Sequence, residues 1–125
     1  MPIPDYIEKR ADETLVRWII THMKRHHTGQ GKAATKWAIV REVFGDDADG
    51  DQKIERLLRR CFELANHDYQ GLIVSSPDDG YWWADSVKDI DYIEKTESRA
   101  KTILENCSVV KRNITTAYGG QFRML

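Results

Sequence analysis

The sequence predicts an α+β domain of three helices, a two-stranded β-hairpin and a long C-terminal helix. Three observations predict it. Apolar residues recur at helical spacing in three separate stretches before residue 66. The pattern then changes to the β-branched and aromatic runs Leu72-Ile73-Val74-Ser75-Ser76 and Gly80-Tyr81-Trp82-Trp83-Ala84, joined by the turn sequence Pro77-Asp78-Asp79-Gly80. Beyond Asp85 the helical spacing returns and continues to about Arg112.

The first helix is expected from Ala11 to His27. Leu15, Trp18, Ile19, His22, Met23 and His26 form its inner face, widened by Val16 and Ile20. Asp12 and Glu13 suit its N-terminal end, and Lys24 to His27 suit the other. Thr28-Gly29-Gln30-Gly31 stops it. Ahead of it, residues 1–10 read as an N-terminal arm, either loose or closed into a short turn capped by Asp5 with Glu8.

The second helix is expected from Ala34 or Thr35 to Phe44. Trp37, Val40 and Phe44 make one apolar line, Ile39 and Val43 a second, and Gly45 suits the position just past the end. The acidic turn Asp46-Asp47-Ala48-Asp49-Gly50 follows. Within it Asp49, three residues before Gln52, reads as a capping box for the third helix.

That third helix, Asp51 to Ala65, carries Ile54, Leu57, Leu58, Cys61 and Leu64 as an apolar stripe. Its opposite side carries Gln52, Lys53, Arg56, Arg59, Arg60 and Glu63. After the connection Asn66–Gly71 comes the hairpin, where one ring of Trp82-Trp83 should enter the core and the other face outward or lie under the last helix. Asp85 or Ser86 is expected to cap that helix. Its seam of Ile90, Ile93, Ala100, Ile103, Leu104, Cys107 and Val110 suits packing against another helix, as in a homodimer, and Glu97 and Lys101 form a surface pair. The tail Thr115–Leu125, with Gly119-Gly120, reads as poorly ordered. The chain therefore divides into an arm (1–10), a domain (11–85), a C-terminal helix (86–114) and a tail (115–125).

Bulk properties bound the function. A chain of 125 residues, 41% hydrophobic and 31% charged, fits one ordinary globular domain. Its net charge of −1 and pI of about 6.4 weaken a nucleic-acid reading, although a local basic patch, rather than the total, decides that question. No apolar run of about 18 residues is present, so no membrane span is expected. The opening Met-Pro-Ile-Pro-Asp does not resemble a secretory signal, which makes the cytoplasm the expected location. Cys61 and Cys107, at apolar helix positions, read as small core residues rather than a disulfide.

Three helices leading straight into a ribbon are the layout of a winged helix-turn-helix. The run Ile54-Glu55-Arg56-Leu57-Leu58-Arg59-Arg60, then Leu72 to Ser76, then Gly80-Tyr81-Trp82-Trp83-Ala84-Asp85 resembles the winged-helix proteins of bacteriophages and other mobile elements. The resemblance covers roughly residues 11–112 and rests mainly on the Ser-Ser-turn-Gly-Tyr-Trp segment. It implies sequence-specific binding of double-stranded DNA in phage regulation or replication, often by a dimer. Such recognition places polar side chains near a helix N-terminus against base edges and cations on phosphates. Gln52, Lys53 and Arg56 are the expected base-contacting residues. Arg59, Arg60, Lys32 and Lys36 are the expected phosphate-contacting ones, with Lys24 and Arg25 as further anchors. The competing reading of these residues is a solvated charged face.

Other chemistries find less support. The acidic turn would repel phosphate, and it fails the calcium-loop template because Gly45 and Arg56 fall on acidic ligand positions; helix capping explains it better. His22, His26, His27 and His67 invite a zinc reading, since His22 and His26 stand four apart on one helix and Cys61 or Cys107 could add sulfur. But no Cys-x-x-Cys or His-Glu-x-x-His occurs; the histidines read as core-edge residues, so no metal or cofactor is expected. No nucleophile elbow or phosphate-cradling loop occurs, and the chain is expected not to be an enzyme. The alternative function is a protein-interaction module that docks a basic partner on the acidic turn and wing.

Overall fold

Each of the first three helices opens on a side chain that accepts its orphan N–H groups. Asp12 accepts from Leu15 at the start of α1 (Glu13–His26), and Thr35 accepts from Ala38 at the start of α2 (Lys36–Phe44). Asp51 accepts from Lys53 and Ile54 at the start of α3 (Gln52–Asp68). The cap of α3 is therefore Asp51, not the expected Asp49. The Asp49 carboxylate is taken by Arg41 at 3.1 Å, and its N–H closes a 3-10 turn over Asp46–Ala48. A second 3-10 turn, Gln30–Lys32, joins α1 to α2.

The computed structural model describes residues 2–122, with side chains through residue 119. After α3 come β1 (Ile73–Ser76), β2 (Gly80–Trp83), a 3-10 turn over Val87–Asp89 and α4 (Ile90–Phe122). The architecture is α+β, as expected. Two compact units meet in the chain at Tyr92 and Ile93.

In the first unit the three apolar stripes converge. Leu15, Val16, Ile19 and Met23 of α1 pack with Ile39, Val40 and Val43 of α2 and Leu58, Cys61, Phe62 and Ala65 of α3. The N-terminal arm is anchored, not loose: Ile7 is buried in this core and the Ile3 N–H donates to the Val43 carbonyl at 2.7 Å.

The strands pair antiparallel with Ile73 opposite Trp83 and Ser76 opposite Gly80. The far edge of β2 is partly covered by the α1–α2 connection. Ala34 and Tyr81 exchange two backbone hydrogen bonds, and the Trp83 N–H donates to His27 O at 2.6 Å. Gly80 has φ +93°, and a Cβ there would lie 2.2 Å from the Ala34 carbonyl oxygen, so the turn requires glycine. Both tryptophans are buried. Trp82 meets Tyr92, at the start of α4, edge-to-face at 5.1 Å between ring centroids, while Trp83 joins the core.

The connection from α3 to the hairpin is shorter than expected because α3 runs three residues past Ala65. Asn66 explains the extension. Its side-chain amide donates to Ile73 O and accepts from Ile73 N, both at 3.0 Å, as a neighbouring strand would.

In the second unit α4 continues through Thr115 to Phe122, where a poorly ordered tail was expected; residues 123–125 of that tail lie outside the described residues. Ser86 caps the preceding 3-10 turn and α4 itself begins at Ile90. Ile103, Leu104, Val110, Ile114 and Tyr118 are exposed along α4, as is Cys107, which is not a core residue. Among the described residues, no helix is long and apolar enough to cross a membrane.

Candidate nucleic-acid interface

Five of the seven residues expected to touch DNA lie on α3. At 100° per residue, Gln52, Lys53, Arg56, Arg59 and Arg60 fall within about 120° of arc, opposite the buried stripe. All five are exposed. Their electrostatic situations differ.

Arg59 and Lys36 share one carboxylate. Arg59 Nε lies 2.6 Å and Lys36 Nζ 3.4 Å from Glu55 Oε1, and Glu55 is only 5% exposed. No well-aligned hydrogen bond reaches that oxygen, so the two cations hold it by charge. The contact brings the first residue of α2 against the first turn of α3. It also neutralises part of the charge that Arg59 and Lys36 would offer to phosphate. Arg60 pairs with Glu63 at 3.1 Å in the open, where solvent screening leaves such a pair weak.

Gln52, Lys53 and Arg56 occupy the first turns of α3. Among the described residues, no carboxylate lies within the 4.0 Å ion-pair distance of Lys53 or Arg56. Lys32, in the 3-10 turn, is exposed and likewise without an ion pair. Lys24 is diverted, with Nζ 5.1 Å from the Trp83 ring centre.

The acidic turn is partly consumed by the fold. Asp51 caps α3 and Asp49 pairs with Arg41, which leaves Asp46 and Asp47 outermost. At the hairpin turn, Asp79 accepts from the Ser76 hydroxyl at 2.9 Å and from Gln30 at 3.2 Å. The hairpin carries no Lys or Arg between Leu72 and Ala84.

A second polar group assembles where residue spacing gave no warning. His22 and His27 are buried, and each directs Nε2 at Oε1 of Glu42, at 2.8 and 2.6 Å. His26 and His67 are exposed instead. Burial pushes His22 below its ordinary range, against the opposing hydrogen bond and charge of Glu42. Burial alone would raise Glu42, but the hydrogen bonds to His27 and His22 outweigh it and hold the carboxyl below its ordinary range. Glu42 was missed because its partners lie 20 and 15 residues away in the chain, and only the fold brings them together.

Compared with protein-family models, with curated proteins and with solved structures, the chain matches none.

Proposed function

We propose that this chain is a non-enzymatic winged-helix protein that binds double-stranded DNA by laying α3 in the major groove. The observation that carries this reading is the uncommitted start of α3. Gln52, Lys53 and Arg56 share one exposed face within its first five residues, and among the described residues no carboxylate pairs with Lys53 or Arg56. Gln pairs with adenine and Arg or Lys with guanine, each through the geometry of the major-groove edge. Lys32, and the half-neutralised Lys36 and Arg59, flank this face as phosphate contacts; Arg60 is a weaker one because of Glu63. The hairpin, acidic at its tip, buttresses α3 and stays off the phosphates.

The protein acts in the cytoplasm of its host as a mobile-element regulator or replication accessory, and as a homodimer. The apolar seam of α4 supports the dimer, because Ile93, Ala100, Cys107 and Ile114 recur every seven residues and Ile103 and Val110 fill the intervening line. A palindromic site would match such symmetry.

Enrichment from a random duplex pool tests the base-reading claim. One preferred sequence should emerge, and Gln52→Ala should relax it at a single position, a discrimination of about 1–3 kcal/mol. Recovery of no preferred sequence would overturn it.

A further inference from the structure

The group formed by His22, His27 and Glu42 has a geometry that DNA binding does not use. The carbonyl of Lys32 lies 2.8 Å from His27 Nδ1 and can only accept, so Nδ1 carries the ring proton. In the neutral ring, Nε2 then presents its lone pair to the Glu42 oxygen 2.6 Å away. Two lone pairs at that distance repel unless a positive centre stands between them, either a second ring proton hydrogen-bonded to Glu42 or a metal ion. A histidine anchored through one nitrogen on a backbone carbonyl, with the other nitrogen aimed at a shared point, is how metal-ligating imidazoles are held. The backbone of His27 is fixed as well, since its N–H donates to Met23 O and its carbonyl accepts from Trp83 N.

We propose that His22 Nε2, His27 Nε2 and the Glu42 carboxylate bind one divalent first-row transition ion, of which Zn²⁺ is the type. The three donor atoms already lie within 4.8 Å of one another. Around a tetrahedral zinc, with bonds of about 2.0–2.1 Å, neighbouring donors stand about 3.3 Å apart. The two separations from Glu42, 2.8 and 2.6 Å, therefore widen by about half an ångström or slightly more, a shift that Glu42 can supply because it is the least buried of the three. The two imidazole nitrogens, within 4.8 Å of each other, settle to the same spacing. Two imidazoles and one carboxylate favour such ions over Ca²⁺ and Mg²⁺, which prefer oxygen alone. The remaining coordination position faces a pocket of about 410 Å³ lined also by Pro2, His26, Arg41 and Asp46, which admits the ion and a water molecule. Arg41 in that lining pairs with Asp49 at 3.1 Å. The ion joins α1 to α2 and stands apart from the α3 face, so loss of one role leaves the other measurable.

The test is titration of the tag-free full chain, freed of metal by a chelator, with Co²⁺ and then Zn²⁺. One equivalent of Co²⁺ should bind with visible absorption and be displaced by one equivalent of Zn²⁺. The unfolding midpoint should rise with bound metal. His27→Gln and Glu42→Gln should each weaken binding at least about tenfold, whereas His67→Gln should leave it unchanged. Circular dichroism confirms folding, and if the buried His27→Gln fails to fold, Glu42→Gln decides. Failure of the wild type to take up an equivalent, binding unchanged in His27→Gln and Glu42→Gln, or binding lost in His67→Gln would each overturn the proposal.

Discussion

Arg59 Nε lies 2.6 Å from Oε1 of Glu55, one helical turn earlier, and that carboxylate is almost fully buried. A residue expected to serve DNA alone thus also compensates an internal charge. Lys36 approaches the same oxygen from α2. Because both cations are about half exposed, either one alone should be dispensable at a cost of about 1 kcal/mol or less. Removing both leaves Glu55 buried without compensation. The double change Lys36→Ala, Arg59→Ala should therefore cost about 1–2 kcal/mol more than the sum of the single changes. Urea unfolding of the four proteins measures that excess, and strict additivity would refute the shared role.

The two cysteines should react unequally. Burial pushes the Cys61 thiol up to about 12, while Cys107 is exposed on α4. Since the thiolate is the reactive form, a chromogenic disulfide reagent near pH 8 should modify one thiol rapidly in the folded protein. The second should appear only in guanidinium. Two fast thiols would contradict the packing of α3 against α1.

Acid should act partly through Asp12. Its carboxyl is held below the ordinary range, first by the hydrogen bond from Arg10 and then by the Leu15 N–H. With the folded value below the unfolded one, this group stabilises the fold above the unfolded pKa of about 3.9. That contribution is lost as pH falls through the folded value. Asp12→Asn keeps a capping oxygen and removes the titration, so its urea midpoint should fall less steeply with acid than that of the wild type. Equal slopes would count against this role.

The α4 seam carries the dimer proposal. Ile103 is 55% and Leu104 66% exposed. Sedimentation should show a dimer for the wild type and a monomer for Ile103→Asp. A monomeric wild type would leave the seam without a partner copy.

Much of this structure was readable from residue order, and the exceptions share a cause. The apolar stripes placed α1, α2 and α3 to within two or three residues at their ends, and the Pro77-Asp78-Asp79-Gly80 turn marked the hairpin. What spacing missed depends on partners distant in the chain. Asn66 extends α3 because Ile73 returns to meet it. Ile7 anchors the arm because the core has room for it. Glu42 belongs to no motif in the sequence and meets His22 and His27 only in the folded chain. The α3 face was visible as a run of cations, but which of them the fold would neutralise was not, because the buried position of Glu55 depends on α2. At Gly119-Gly120 the local signal itself misled. Glycine costs about 1 kcal/mol in a helix, yet α4 passes through both.

The salt dependence of duplex binding tests the role of α3 most directly. The slope of log K against log salt concentration should be negative in the wild type. It should lose about 0.9 for each phosphate contact removed by Lys32→Ala and Arg59→Ala, with folding kept because Lys32 makes no ion pair among the described residues and Lys36 still faces Glu55 when Arg59 is gone. A wild type that binds no duplex at low salt, or a slope unmoved by both substitutions, would contradict it.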